Sequence, residues 1–336
     1  MRTSPLSNNN QQLPDEFLKR LRAVYGDAQA EDVIASLTSP RHLSIRVNTL
    51  ISDDARTIGE LSAAGITSTP IPGIPHAYTV ESVTARELTD LPAYVNGLFY
   101  IQNASSMIPA IVISPLPGEN ILDMAAAPGS KTTHMAALMD NTGTIIANDS
   151  SRERLYKLEA NLERYGVHNC KTTRARGETV WQQYPEHFDK TLVDAPCSME
   201  GTFRAGDVST YKGWSIKHIK RMSSQQKWLL RSAVSATKPG GIIVYSTCTI
   251  APEENEEVID WILTKEKGKV VIDPISIDEV PCSAPCTSWG NKHYSKDMSG
   301  VLRIAPTPVF EGFFVARLKK TEHTVPLSLR NSVDLI

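Results

Sequence analysis

The chain has 336 residues, 41% of them hydrophobic, enough for one large domain and a smaller companion, each with its own core. Its formal net charge of −2 excludes global attraction to nucleic acid, so such a partner has to be met by a local basic surface. Five scattered cysteines do not form a disulfide framework and point to a reducing compartment, where a thiol can be reactive.

The opening residues, MRTSPLSNNNQQ, are polar and lack an apolar h-region, so residues 1–12 read as a disordered tail without a secretory signal. No apolar run approaches the roughly 20 residues of a membrane span. The expectation is a soluble, cytoplasmic, monomeric protein with no membrane partner. Helical spacing follows in LPDEFLKRLRAVYG, with Phe17, Leu18, Leu21 and Val24 on one face and Gly26 as a stop signal. LSIRVNTL alternates like a strand, and the Pro- and Gly-rich TPIPGIPHAYTV comes after it. Residues 13–115 are expected to form a small mixed α and β region.

From about residue 118 strands and helices alternate regularly. NILDMAA is a short apolar run, followed by APGS and the helical pattern KTTHMAALM, in which Met135, Leu138 and Met139 share a face. TIIANDS, KTLVDAP and GIIVYSTC read as further strands, with the helices RERLYKLEANLERYG and SQQKWLLRSAVSA between them, the second ended by KPGG. PEENEEVIDWIL is predicted as a helix with Pro252 in its first turn and Glu253 and Glu254 against the positive end of its dipole. VLRIAPTPVFEGFFVARLKK looks like a hairpin. Such βαβ repetition calls for a parallel sheet covered on both faces, a Rossmann-like α/β fold over 116–322 with a short tail at 323–336.

In these sheets ligands sit beyond the C-terminal strand ends. The first strand ends in DMAAAPGSKT, which lacks the G-x-G-x-x-G of a dinucleotide site, and Ser130 stands where a P-loop needs glycine before Lys131. Small residues (Ala125, Ala126, Ala127, Gly129) still let a ligand lie close to the backbone without a phosphate cradle, and Asp149 ends the second strand, placed to accept from ribose hydroxyls. An adenosine without phosphates is S-adenosylmethionine; a tight turn followed by a helix-capping acid is the alternative.

LVDAPCS and VYSTCT carry more weight. Cys197 and Cys248 each follow a strand, and those strands are expected to be neighbours about 4.8 Å apart, bringing both thiols to the ligand crevice beside Asp194. One buried cysteine is usually a small hydrophobe; two at equivalent strand ends suit cytosine chemistry. Carbon 5 of cytosine is a poor nucleophile until a thiolate adds at carbon 6. Charge then builds on ring nitrogen 3, where Asp194 can answer it, and a second thiol can assist release once the carbon 5 proton leaves. The base has to be unpaired or flipped.

The stretches LFYIQNASSMIPA, DMAAAPGSKTTHMA, LVDAPCSMEGTFR, YSTCTIAPEENEEVI and EGFFVARLKK resemble the successive motifs of the Sun-type (NSUN) RNA cytosine-5 methyltransferases, over about residues 15–320 and most closely the bacterial branch acting on small-subunit ribosomal RNA. The resemblance implies a class I S-adenosylmethionine-dependent fold with a mostly parallel seven-stranded sheet and an N-terminal RNA-recognition region. It implies that Cys248 is the nucleophile, that Cys197 assists release, that Asp194 holds the cytosine edge and borders the cofactor, and that Lys131 reaches the catalytic centre. The cofactor would lie along Ala125, Ala126, Ala127, Pro128, Gly129, Ser130 and Lys131, with Asp149 on the ribose and Arg154 supporting the loop.

Two departures stand out. Where the family carries an acid near the adenine amino group, this chain has Arg176–Gly177, and the usual DAPCSGEG is DAPCSMEG, with Met199 for glycine. A backbone needing positive φ there would make Met199 a constraint. Basic residues in RAR (174–176) and KHIKR (217–221), with Arg204, Lys212 and Trp214 nearby, are candidates for phosphate contacts, against the plainer reading of solvated helix faces. Cys282, Cys286 and His293 lack an evident fourth ligand, so no metal is expected. Larger bacterial members carry a further RNA-binding domain, so here the N-terminal region or a ribosomal particle is expected to supply more of the RNA contacts. Ribosomal RNA is the first-choice substrate and transfer RNA the second. The rival readings are methylation of another acceptor, such as an amine, and a catalytically weakened RNA-binding assembly factor.

Overall fold

The structure, a computed structural model, describes residues 13–294, 297–326 and 329. The expected tail over 1–12 and most of the segment from 327 onward lie outside them. α1 (Asp15–Thr38) buries Phe17, Leu21 and Tyr25. Gly26 (φ 73, ψ 161) breaks the helical geometry as expected, but the chain resumes the helix and buries Ala30, Val33 and Leu37 beyond it. Then come β1 (Leu43–Val47), α2 (Asp54–Ala63), β2 (Thr67–Pro70) and β3 (Ala77–Glu81). The Pro- and Gly-rich segment is thus the β2–β3 hairpin. The short helices α3 (Ala85–Asp90) and α4 (Pro92–Val95) lead to β4 (Phe99–Ile101). The four strands make an antiparallel sheet in the order β2-β3-β1-β4, over a core of Ile45, Leu61, Ile66, Val80, Leu88 and Phe99.

α5 (Ala104–Ile113) leads into the larger sheet: β5 (Asn120–Asp123), α6 (Ser130–Leu138), β6 (Thr144–Asn148), α7 (Arg152–Arg164), β7 (Cys170–Thr173), β8 (Phe188–Asp194), α8 (Ile216–Ala236), β9 (Thr237–Thr247) and α9 (Glu256–Lys265). β10 (Val270–Ile272), β11 (Cys282–Ser283), β14 (Leu302–Ile304) and β15 (Phe313–Lys320) complete it, while β12 (Ser288–Trp289) and β13 (Lys292–His293) form a separate small hairpin. The path β14-β15-β9-β8-β5-β6-β7 supplies the seven expected strands. β11 and β10 add short edges, so the described sheet has nine. β9, β8, β5, β6 and β7 run parallel, and β15 is antiparallel to β9.

The apolar runs make sense because successive residues enter opposite cores. Ile121, Leu192 and Val244 pack with α5, α6 and α7 on one face. Leu122, Val193 and Ile243 pack with α8 and α9 on the other. Met135 and Met139 join the first core, whereas Leu138 turns outward and is 42% exposed, against expectation. α8 ends at Ala236, where the expected helix SQQKWLLRSAVSA ends, and the KPGG that follows belongs to the start of β9 as an irregularity, where register jumps from Phe188↔Thr237 to Lys190↔Ile242. Pro252, Glu253 and Glu254 form a turn before α9, whose first-turn acids are Glu256 and Glu257. Glu253 is instead committed to Arg20, and Glu254 is buried under the site.

α1 belongs as much to the large unit as to the small one. Phe17 meets Phe203 and Trp214 at ring-centroid distances of 4.9 and 6.0 Å. Arg20 donates to both carboxylate oxygens of Glu253 (3.0 and 2.7 Å), and Arg41 donates to Glu311 (2.6 Å) and to the Gly201 carbonyl (3.0 Å).

Candidate active site

The sheet reverses its winding at β5, which has β6 on one side and β8 on the other, and the crevice opens at the C-terminal ends of these strands. A cleft of about 550 Å³ lies there, a size that takes a nucleoside-like ligand. Of the residues expected to form the site, Ala125, Ala127, Asp149, Arg154, Asp194, Cys197 and Cys248 line it. Ala126, Pro128, Gly129 and Ser130 shape the loop from behind, and Lys131 reaches the site through Asp194.

The loop after β5 is held open from outside. Asn148 donates to the Met124 carbonyl (2.9 Å), Asn161 to the Pro128 carbonyl (2.9 Å) and Arg154 to the Ala127 carbonyl. Gly129 has φ 111, and a Cβ on it would come within 2.8 Å of Leu158, so glycine is required before α6 begins. Asp149, 2% exposed, accepts from Ser151 N–H through Oδ1 (2.9 Å). Its Oδ2 lies 3.2 Å from Arg154 Nη1 in an ion pair but takes part in no hydrogen bond, a buried acceptor left open at the cleft wall.

Beneath the loop, burial pushes the Asp123 carboxyl up to about 7. Its Oδ2 accepts from Thr132 (2.7 Å), which ties the strand end to α6. Asp123 was not singled out in the sequence, although an acid closing the apolar run NIL was a visible signal.

At the end of β8, Asp194 accepts from Lys131 Nζ through Oδ2 (2.7 Å) and from Ser246 Oγ through Oδ1 (2.8 Å). Lys131 also donates to Ser106 Oγ (2.8 Å). Ser106 and Ser246 are further site residues that sequence reading passed over. Ser246 is the first residue of the STCT motif, but nothing local in the chain signals that Ser106 on α5 reaches a lysine on α6.

The two thiols meet. Cys197 Sγ and Cys248 Sγ are 3.3 Å apart, both free, at the ends of the adjacent parallel strands β8 and β9. The hydrogen bond with Cys248, reinforced by burial, pushes the Cys197 thiol well above its ordinary pKa. Cys197 therefore keeps its proton. The segments carrying the pair are laced together: Gly201 N–H donates to the Cys248 carbonyl (3.0 Å), Ser198 N–H to Glu254 (3.0 Å), and the Ser198 and Thr249 hydroxyls share a hydrogen bond (2.8 Å). Burial raises Glu254 to about 7, with Gln226 donating to it from α8 (2.8 Å).

Met199 does occupy a left-handed conformation (φ 61, ψ 23), with its side chain largely in solvent between the cleft and a second hollow. That hollow, of about 480 Å³, is lined by Arg204, Lys212, Trp214 and His218. Arg204 and Lys212 reach its wall as basic side chains, whereas Trp214 is tied down, its Nε1 donating to Glu200 (2.8 Å). Arg176 lies at the opposite rim of the cleft. Cys282 is exposed on β11, and Cys286 N–H donates to Glu256 (3.0 Å); no group of three potential metal ligands occurs among the described residues. Among those residues, too, no helix is long and apolar enough to cross a membrane.

A Rossmann-like sheet with a small-residue loop, a buried acid just after β6 and paired thiols just after β8 and β9 defines a class I methyltransferase fold. The chain belongs to the 16S rRNA methyltransferase RsmB/F family, whose model matches residues 110–319, and the N-terminal domain of 16S rRNA methyltransferase RsmF matches residues 13–104. It is 37% identical over 328 residues to the ribosomal RNA small subunit methyltransferase F of Klebsiella pneumoniae (strain 342), covering 96% of this chain and 66% of that one. It is 39% identical over 320 residues to that of Vibrio cholerae (strain M66-2), covering 93% and 64%. The chain thus spans just under two thirds of the length of these curated relatives. Among solved structures, NSun6 from Pyrococcus horikoshii with SFG superposes with a TM-score of 0.79 at 26% identity, covering 93% of this chain and 99% of that one. A methyltransferase homolog protein from Pyrococcus horikoshii gives 0.76 at 31% identity, covering 92% and 100%.

Proposed function

We propose that this protein transfers a methyl group from S-adenosylmethionine to carbon 5 of a cytosine in RNA, through a covalent bond between Cys248 and the base. The observation that carries the reading is the thiol pair, 3.3 Å apart, beside an Asp194 braced by Lys131. The chain's membership of a 16S rRNA methyltransferase family makes small-subunit ribosomal RNA the favoured substrate, in the cytoplasm.

The cofactor fits the residues present. Asp149 Oδ2 is an open buried acceptor suited to a ribose hydroxyl, and the Ala125–Gly129 loop carries no side chain that would bar close approach. Asp194 borders the same cleft, and Arg154 holds both Asp149 and the loop. When bound, the cofactor supplies an electrophilic methyl group.

Cys248, as thiolate, adds to carbon 6 of the base, and the ring electrons shift so that carbon 5 becomes nucleophilic. Asp194 receives the exocyclic amino group, and the Lys131 ammonium behind it offsets the charge on ring nitrogen 3. The bound donor would supply the methyl group that carbon 5 takes up, keeping on its sulfur the electron pair of the bond that breaks. Once Cys248 is alkylated, the interaction that holds the proton on Cys197 is weakened. Cys197 then gives up its own proton to solvent, and its thiolate takes the proton from carbon 5; the electron pair left behind re-forms the ring double bond as the sulfur–carbon 6 bond breaks and the Cys248 thiolate returns.

Labelled methyl transfer to small-subunit RNA or particles, followed by nucleoside mass spectrometry, tests the reaction. The expected product is 5-methylcytidine, absent with Cys248→Ala, while Cys197→Ala accumulates protein covalently trapped on RNA. Wild-type turnover by Cys248→Ala, or methyl label in any other nucleoside, would overturn the proposal.

A further inference from the structure

We infer that Glu178 recognises the adenine of the methyl donor by accepting from its 6-amino group; this rests on the function proposed above. The strand order β9-β8-β5-β6-β7 sets the features of the cleft in a row at strand spacing. Thiols stand at β9 and β8, the open loop at β5, Asp149 at β6, and the segment from Arg176 to Glu178 follows β7. A donor with its sulfur toward the thiols and its ribose on Asp149 therefore carries its base to the segment after β7.

The walls there suit a planar base. Met124, Gly177 and Leu229 supply the apolar surface. A Cβ on Gly177 would lie 2.5 Å from Leu229 Cδ2 and 3.3 Å from Met124, so glycine lets these two side chains pack directly against the backbone and form a continuous apolar wall. Three polar side chains border this end. Arg176 is a pure donor and its side chain is 77% exposed, so it has nothing to offer an amino group. Gln225 donates its Nε2 to Glu178 Oε1 (3.2 Å), which fixes the carboxylate. The side chain of Glu178 is 19% exposed, and its Oε2 forms a loose ion pair with the exposed Arg176 (3.8 Å from Nε), beyond hydrogen-bond reach. Oε2 is thus an acceptor held at the base end of the cleft. A purine with an amino group at position 6 donates to it; a purine with a carbonyl there presents a second acceptor and is repelled.

Titration calorimetry on the full chain with S-adenosylhomocysteine and S-inosylhomocysteine tests this, because the two differ at that edge of the base. Wild type is expected to prefer the adenine form by roughly tenfold to a hundredfold, the range of a hydrogen bond to a charged group. Glu178→Gln, nearly isosteric and able to present either an acceptor or a donor, is expected to narrow the preference to about threefold or less, at a thermal midpoint close to wild type. Arg176→Ala is expected to keep the wild-type ratio. An unchanged ratio in Glu178→Gln, or a ratio lost in Arg176→Ala, would overturn the assignment. So would a wild-type protein that binds both forms equally, a result that needs no variant. Wild type binding neither compound would overturn the methyl-donor reading itself, a result distinct from an unchanged ratio.

Discussion

Replacing Gly201 by alanine puts a methyl group where the fold has no room. The added Cβ would lie 1.8 Å from the carbonyl oxygen of Gly312 and 2.5 Å from its carbon, both backbone atoms that no rotamer change can move. Restoring van der Waals distance requires the two segments to part by roughly 1 Å or more. Two hydrogen bonds cross or adjoin this contact: Gly312 N–H to the Gly201 carbonyl (3.1 Å) and Gly201 N–H to the Cys248 carbonyl (3.0 Å). Losing both costs about 1 kcal/mol each, and the strain of overpacking adds about 1–3 kcal/mol. The expected loss is about 3–5 kcal/mol, which for a domain of this size lowers the thermal midpoint by about 10 °C. Methyl transfer should fall as well, because Cys248 loses a fixed neighbour. Differential scanning calorimetry reads the midpoint. Gly59→Ala, on an open helical site with nothing within 4 Å, is the comparison and should be neutral or stabilise by up to about 1 kcal/mol. A Gly201→Ala midpoint within about 2 °C of wild type would refute the reasoning.

Met199→Gly should relieve left-handed strain at little packing cost, raising stability by up to about 1 kcal/mol in urea unfolding, since the methionine side chain is 52% exposed. Asp123 and Glu254 are both raised to about 7 by burial, so the folded protein holds protons that the unfolded chain releases near pH 4. Their contribution to stability is complete below that pH and is lost as pH rises through about 7. Urea unfolding from pH 5 to 8 should accordingly show a shallower decline in Asp123→Asn, and an identical slope would count against it. Arg303→Met strands the buried Glu256 carboxylate that it contacts at 2.5 Å, at a cost of about 3–5 kcal/mol. Adding Glu256→Leu should recover much of that loss, measured as a double-mutant cycle.

The parts of the fold most legible in the sequence were those where local pattern and burial agree. Pairs such as Ile121 and Leu122, or Leu192 and Val193, each send one residue to either face of a covered sheet, and that produces the continuous apolar runs that mark parallel strands. The thiol pair was legible because strand ends in such a sheet are predictable places. What escaped was set by contacts distant in the chain. Glu253 and Glu254 resemble helix-capping acids in a short window, but Arg20 claims the first across 233 residues, and Ser198 and Gln226 claim the second. Leu138 fits an apolar helix face by spacing, yet the helix ends there and the side chain turns to solvent. Ser106 and Glu178 are hydrogen-bonded to partners on other elements, which no spacing rule reveals.

The seating of α1 bears on how such proteins can be divided or inherited. Cutting the chain near residue 105, between its two recognisable modules, would leave Phe203, Ile250 and Ala305 bare on one piece and Phe17, Leu21 and Leu37 bare on the other. It would also leave Arg41 without Glu311 and the Gly201 carbonyl. The segment that follows Cys197 takes its shape partly from a helix contributed by the other module. Exchange of the N-terminal module between relatives therefore has to carry matching residues in that segment, and the two halves are constrained to change together although each has its own fold.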